Sequence, residues 1–417
     1  MADQTLTTAR PDAPTAALSA RSMSSTAANA VTSEALRHPG PKTLLVVGTG
    51  RAVLKRVFDM LMPADRVLVW APDAVGAALL RKAIRDHWPR LSGRTTVLES
   101  MADGLPDSAT VDAVIVSRPV SDVPDVVERC RALLGADGVL SFAAPLRVGG
   151  DNALPEAVAA HAVRTDLVVR GVPPLRIHHL RFGAPEPELV DLLAPVQSPS
   201  HVAVTRRMGI DSNGVAAAGI LGGVAALTKL VRPRSRAWMV PALAALPVAA
   251  FFRDPRRITP DDPRAVVAAA DGVVLSVERM ADERFGPGEW LRIAVFLSVL
   301  DVHVNRSPVA GRVVEILREE GGYAVAQSAA AEHNVACYTV LETAHGRVVV
   351  AQRTGLIARR IVNRARVGTV LAKGERYGLI RFGSRTDVYL PASAAEPLVA
   401  AGDRVVGGET VLAEWTA

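Results

Sequence analysis

Leu44-Leu45-Val46-Val47-Gly48-Thr49-Gly50 decides the fold of the first half of this chain. Four apolar residues running into a glycine turn read as a strand buried on both faces, and a helical stretch follows through Met62. A second strand, Arg66-Val67-Leu68-Val69-Trp70, again has a helix behind it. Asp112-Ala113-Val114-Ile115-Val116-Ser117 and Gly138-Val139-Leu140-Ser141-Phe142 read as further buried strands separated by a helix. Strands and helices in alternation predict a Rossmann-like, doubly wound α/β domain over residues 43–186.

Outward from that domain the composition changes. Residues 1–42 are rich in Ala, Thr, Ser and Pro without an apolar run, and read as a disordered leader. Residues 187–213 read as a linker. Two apolar segments follow, Gly214 to Thr228 and Ala237 to Phe252, about fifteen and sixteen residues long and shorter than a bilayer-spanning helix. Lys229, Arg232, Arg234 and Arg236 lie between them, and Arg253, Arg256 and Arg257 come after the second. Two spanning helices would put these basic clusters on opposite sides of a membrane, so residues 214–252 read as a re-entrant or interfacial helical hairpin. From Val266 the chain is strand-rich, with turns at Asp271-Gly272, Gly321-Gly322 and Gly407-Gly408, so a compact β domain is expected over 253–417. The fold class is therefore α/β plus mainly-β.

At 417 residues the chain can hold two ordinary cores, and its net charge of +6 favours an anionic partner. Aromatics make up only 4% of the residues and no basic patch is interleaved with them, which argues against nucleic acid and for acidic lipid. The expected location is the cytoplasmic side of the cell membrane, peripheral or held by the hairpin. Cys130 and Cys337 match no metal spacing and no disulfide framework, so no metal is expected.

Chemistry concentrates in the second half. A period of two over Leu291 to Arg306 places Ile293, Val295, Leu297, Val299, Asp301, His303 and Asn305 on one face, an apolar face ending in polar groups. An imidazole there can take a proton from a nearby hydroxyl near neutral pH. Singly, these residues have plainer readings: Asp271-Gly272 as a turn, His303 as a satisfied histidine at a strand end, and Gly383-Ser384 as an unremarkable dipeptide.

Five blocks in order change that balance. They are Phe251-Phe252-Arg253-Asp254-Pro255-Arg256-Arg257, Ala270-Asp271-Gly272, Phe296 to Val309 with the run Asp301-Val302-His303-Val304-Asn305-Arg306, Gly355 to Val362, and Phe382-Gly383-Ser384-Arg385. From Phe251 to the C-terminus the chain resembles the phosphatidylserine decarboxylases, in their short, archaeal-type form. The resemblance implies self-cleavage between Gly383 and Ser384 into a β chain and an α chain, with Ser384 converted to a pyruvoyl group. That ketone condenses with the amine of phosphatidylserine and draws off the electrons released with carbon dioxide, leaving phosphatidylethanolamine. It further implies a triad of Ser384, His303 and Asp271, with Asp271 fixing the imidazole and Asp301 as its rival. Arg306 stands where long-form relatives carry a second histidine, so His303 is expected to serve both cleavage and decarboxylation. Arg359, Arg360 or Arg385 could pair with substrate phosphate or carboxylate. A homodimer is implied by the resemblance alone.

The first half resembles the soluble phospholipid N-methyltransferases, through its strand and glycine pattern and Val168-Val169-Arg170-Gly171-Val172-Pro173-Pro174-Leu175-Arg176-Ile177. That implies S-adenosylmethionine at Gly48 and Gly50. The rest of the pattern is thin: Arg51-Ala52 replaces the next glycine region, and Trp70 stands where an acidic residue would grip a ribose, with Asp73 three residues on. A degenerate methyltransferase fold is the expected reading. The alternative is a bifunctional or solely S-adenosylmethionine-dependent phospholipid N-methyltransferase, with the C-terminal domain as membrane anchor or scaffold. A lipoyl-type carrier would need a presented lysine, and Lys373 lacks that setting.

Overall fold

The structure is a computed structural model that describes residues 22–37, 40–99, 110–146, 152–169, 173–185, 187–196, 200–356, 360–381 and 384–416. The chain divides into two compact units, Met1–Pro185 and Glu186–Ala417.

The first unit runs α1 (Ser25–Leu36), β1 (Thr43–Val47), α2 (Arg51–Met60), β2 (Arg66–Trp70), α3 (Ala74–His87), β3 (Thr95–Leu98), β4 (Val111–Val116), α4 (Val123–Arg131), β5 (Leu134–Pro145), α5 (Glu156–Ala159), β6 (Ala162–Val168) and β7 (Leu175–Arg181). Its seven-stranded sheet has the order β3-β2-β1-β4-β5-β7-β6. The first five strands are parallel, and β7 lies antiparallel between β5 and β6. Alternate residues of β1 enter different cores, Leu44 and Val46 on one face and Leu45 and Val47 on the other, as a doubly covered strand requires.

The leader reading is corrected for Ser25–Leu36. This stretch is a helix capped by Ser24, whose hydroxyl accepts from the Ala27 amide at 3.2 Å. Ala27, Ala28, Val31 and Ala35 are buried, and Glu34 is paired with Arg37 and Arg164. Small alanines let the helix lie close on the sheet, and that same composition imitates disorder.

The second unit begins with α6 (Pro187–Asp191), β8 (His201–Ala203), β9 (Met208–Asp211), α7 (Ser212–Val231), α8 (Met239–Phe251) and β10 (Arg253–Pro255). The linker reading of 187–213 is corrected here, because β8 and β9 join β10 in a three-stranded antiparallel sheet. The remaining strands are β11 (Ala265–Val267), β12 (Gly272–Ala281), β13 (Glu289–Leu297), β14 (Val304–Arg306), β15 (Gly311–Glu319), β16 (Ala336–Thr343), β17 (Gly346–Arg353), β18 (Ile361–Asn363), β19 (Val370–Leu371), β20 (Arg376–Ile380), β21 (Ser384–Pro391), β22 (Ala395–Pro397), β23 (Arg404–Val405) and β24 (Val411–Trp415). An eight-stranded sheet, β19-β15-β16-β17-β21-β13-β12-β23, forms the body of this unit, with three-stranded sheets β14-β20-β18 and β11-β24-β22 beside it.

The apolar pair of helices is present, but α7 is longer than its apolar segment. Asp211 caps it, accepting from the Asn213 amide at 2.9 Å, and the helix continues past Thr228 to Val231, 20 residues in all and roughly 30 Å at 1.5 Å per residue. It is the one helix among the described residues long and apolar enough to cross a bilayer. Ile220, Leu227 and Leu230 on α7 and Val240, Leu243 and Leu246 on α8 are exposed.

Candidate active site

Ser384 is the first residue of β21 and pairs with Leu297 of β13. Thr386 follows on the same face, opposite Val295 on one side and Gln352 of β17 on the other. Further along, this face holds Ile293, Val350, Val388 and Leu390, so Ser384 stands at the polar end of an apolar core. It is fully buried, and its hydroxyl has no hydrogen-bond partner. A buried open hydroxyl costs about 1–3 kcal/mol, so its presence calls for a chemical reason. Gly383 lies outside the described residues.

His303 is reached by a turn. The continuous strand expected over Leu291 to Arg306 is corrected: β13 ends at Leu297 and β14 starts at Val304. Between them the Asp301 carboxylate accepts from the Ser298 amide at 2.8 Å and the Ser298 hydroxyl at 2.7 Å, and the Asp301 amide donates to the Ser298 carbonyl. This turn carries the chain from the large sheet to the small one, where the His303 carbonyl accepts from the Ile380 amide. The His303 Nδ1–H donates to the Asp301 carbonyl at 2.9 Å, which leaves Nε2 as the basic nitrogen of the ring. Phe251 packs against the imidazole with the ring planes tilted. Burial pushes the His303 pKa down to about 4, against the raising pull of Asp301, so the ring is neutral at physiological pH.

Asp271 does not reach the imidazole. Its two carboxylate oxygens accept from Nη2 of Arg257 at 2.8 and 2.6 Å, and one also takes the Gly407 amide at 2.8 Å. The orienting group on His303 is thus the backbone carbonyl of Asp301, while the Asp301 carboxylate is bound to Ser298 and to Arg404 at 2.7 Å. Neither His303 nor Asp271 bonds the Ser384 hydroxyl in this state. Catalytic contacts in a resting state are often open, and close only when the reacting atoms align.

Arg306, at the position of the second histidine in long forms, is a buried structural cation. It donates to Asp254 at 2.9 Å and to the carbonyls of Pro255 and Gly374. Asp254 also takes Arg376 and His201, each at 2.5 Å. Arg360 is exposed and Arg359 lies outside the described residues. Arg385 points to the opposite face of β21, where it bonds Asp387 at 2.6 Å and Glu332 at 2.9 Å. There Arg353, wholly buried, donates to Asp387 at 2.9 Å. Burial works against the Arg353 charge, but Asp387, Tyr389 and Tyr338 together outweigh it and hold the pKa above the ordinary arginine range. Arg385 is therefore committed within the fold. His333 is exposed, and His345 stacks on Trp415 with centroids 4.6 Å apart.

Gln352, Arg353, Thr386 and Asp387 are the residues that sequence reasoning missed. One signal was available: Gln352-Arg353 ends the apolar run Val348-Val349-Val350-Ala351, and a polar pair there has to face something.

In the first unit, Gly50 is shaped by the fold. A Cβ there would lie 2.2 Å from the Ser117 carbonyl oxygen, and the Gly50 amide donates to the Ser117 hydroxyl at 2.9 Å. Gly48 has a φ of 89° and donates its amide to Trp70. Asp73 caps α3 through the Gly76 amide at 2.5 Å. The amide of Gly50 and the nearest acid are thus both engaged, and Trp70 is buried, so these residues do not fit a dinucleotide-like cofactor grip.

The phosphatidylserine decarboxylase family matches residues 245–413. The phosphatidylserine decarboxylase proenzyme of Pelobacter propionicus is 52% identical over 164 residues, covering 39% of this chain and 74% of that protein. That of Mycobacterium tuberculosis is 47% identical over 177 residues, covering 41% of this chain and 76% of that protein. Among solved structures, the chain is similar to an O-methyltransferase from Bacillus cereus in complex with SAH, at 18% identity and a TM-score of 0.33, covering 39% of this chain and 84% of that one. It is similar also to a precorrin-6y C5,15-methyltransferase from Geobacter metallireducens, at 18% identity and a TM-score of 0.30, covering 39% of this chain and 92% of that one. The decarboxylase relatives make the C-terminal unit a carboxy-lyase. The chain belongs to the phosphatidylserine decarboxylase family.

Proposed function

We propose that this decarboxylase makes its own electrophile by cutting its backbone between Gly383 and Ser384. The observation that carries the reading is the wholly buried, unpartnered Ser384 hydroxyl at the head of a core strand. Its Oγ adds to the preceding carbonyl carbon as the Oγ proton passes to a base. The C–N bond then breaks, the proton moves to the Ser384 nitrogen, and an ester links residues 383 and 384. Loss of the Ser384 Cα proton expels the Gly383 carboxylate and leaves dehydroalanine; this enamine takes a proton at Cβ to become an imine, and water replaces the imine nitrogen, which departs as ammonia. His303, neutral and held with Nε2 basic, is the group suited to take the Oγ proton. The pyruvoyl group at residue 384 would supply a ketone that condenses with the amine of phosphatidylserine and takes up the electron pair left by carbon dioxide. His303 then holds the proton that the substrate α-carbon needs.

The products of cleavage are a β chain of residues 1–383 and an α chain of residues 384–417, both retained in the fold. The exposed apolar faces of α7 and α8, and Arg232, Arg234 and Arg236 between them, support attachment to an anionic membrane on the cytoplasmic side. A homodimer is part of the same reading. The first unit is read as a methyltransferase fold without cofactor chemistry, so the bifunctional alternative is set aside.

Intact-mass spectrometry of the full chain beside Ser384→Ala tests this. A fragment beginning at residue 384 with a pyruvoyl terminus, missing in the variant, is expected. One uncut chain from both proteins, with and without anionic vesicles, would sink the reading.

A further inference from the structure

Ser384 Oγ is one of four unpartnered polar atoms at the same place. The others are Thr386 Oγ1, Gln352 Oε1 and Asn305 Nδ2, and all four residues are wholly buried. Gln352 sits across from Thr386 and on the diagonal from Ser384, a separation that a long side chain spans. Its Nε2 donates to Asn305 Oδ1 at 2.7 Å, which joins the large sheet to β14. Rotating both amides end for end would keep that bond reversed and again leave one N–H donor and one carbonyl open. The open donor is therefore a property of the pair.

Room for the pair is built in. A Cβ at Gly378 would stand 2.8 Å from Gln352 Nε2 and 2.5 Å from the Val362 carbonyl. Asn305 is also the β14 residue that pairs with Gly378, so the glycine admits the amides between the two sheets. An amide N–H aimed at nothing in an apolar core is destabilising at rest, and becomes stabilising when negative charge appears beside it.

We propose that the Asn305–Gln352 amide pair is the anion hole of the acyl shift at Ser384, a proposal that rests on the self-cleavage reading above. As Oγ bonds to the preceding carbonyl carbon, the carbonyl π pair moves onto oxygen, and the open amide N–H receives that oxyanion. Collapse returns the pair, breaks the C–N bond and forms the ester. The amides act on this step and not on the later elimination.

The test compares the full-length wild type with Asn305→Asp and Gln352→Glu, both close to isosteric and each replacing an amide N–H donor with an acceptor. Cleavage is followed by intact mass, folding by thermal melt, and ester by hydroxylamine, which cuts it. The wild type is expected to process. The variant that removes the open donor is expected to melt as a folded protein and to process roughly 100-fold more slowly. It should also yield no hydroxylamine-labile bond, since the ester never forms. Both variants folded and cleaving at the wild-type rate would overturn the proposal, as would a slow variant that accumulates labile ester. If one variant unfolds, the other decides by the same two readouts, and if both unfold, Asn305→Ser and Gln352→Ala replace them under the same criteria. A wild type that never cleaves would instead remove the reading underneath.

Discussion

Phe251, the last residue of α8, packs against His303 with ring centroids 4.3 Å apart and planes inclined at 41°. The hairpin thus ends on the imidazole. Phe252 beside it lies under the Arg381 guanidinium, three residues before Ser384, and Arg381 reaches back to Asn213 at the base of α7 at 2.8 Å.

Burial of the imidazole, to which Phe251 contributes, sets a pH dependence. Burial holds His303 down at about 4, from 6.5 in the unfolded chain. The unfolded state therefore binds more protons between those values, so stability is full above about 6.5 and is lost as pH falls toward 4, by on the order of 3 kcal/mol. Phe251→Ala lets water onto the ring and should move the His303 titration upward, with the acid limb of processing moving along with it. Imidazole NMR titration checks this, and an unmoved pKa in Phe251→Ala would show that other groups desolvate the ring.

Asp254 is the second position where one side chain carries much of the site. Burial would raise its pKa, but His201, Arg376 and Arg306 together bring it below the ordinary carboxylate value. Its contribution to stability is present above the unfolded pKa near 3.8 and is lost as pH falls through the lower folded value. Asp254→Asn leaves Arg306 buried without its counter-charge, which should cost about 3–5 kcal/mol. Urea unfolding at neutral pH measures it, and a loss below about 1 kcal/mol would mean that water already solvates the cluster.

The legible parts of this chain were those whose signal is local. Leu44–Val47 could be read because both faces of β1 are covered and every residue in it is apolar. Ser25–Leu36 could not, because alanine contacts carry its packing and its main polar partner, Arg164, is far away in sequence. The period of two through Leu291–Arg306 was real in the residues but false in the backbone. Val299 fits the apolar pattern yet sits exposed, with Leu300 beside it, in a turn that Asp301 holds by capturing Ser298. At the site, Ser384 and His303 were found through ordered motifs. The Asn305–Gln352 pair is a side-chain bond between two sheets, made across dozens of residues, which no local spacing encodes.

The hairpin should bind vesicles through two separable forces. Leu227, Leu243 and Leu246 are exposed, and burying each in lipid contributes about 1.5–3 kcal/mol. Triple replacement by serine should lower vesicle binding at least 100-fold. Replacing Arg232, Arg234 and Arg236 by glutamine should act only on anionic vesicles, at about 1 kcal/mol per charge, and less so in high salt. Co-sedimentation gives both numbers. Equal binding of wild type and serine variant would remove the hairpin as the lipid contact.

The first unit is expected not to bind S-adenosylmethionine. In a working grip, the glycine turn after β1 would offer open amides at the start of α2, and an acid at the end of β2 would take the ribose hydroxyls. Here the Gly50 amide is spent on Ser117, and the missing Cβ is what lets α2 approach the Ser117 backbone. Asp73 is spent on the cap of α3, and Trp70 fills the position of the acid. Calorimetry with millimolar S-adenosylmethionine should therefore give no binding heat, while Gly50→Ala should destabilise the unit by overpacking, by about 1–3 kcal/mol. A saturable isotherm in the micromolar range would mean that Ser117 and Asp73 release their partners for the ligand.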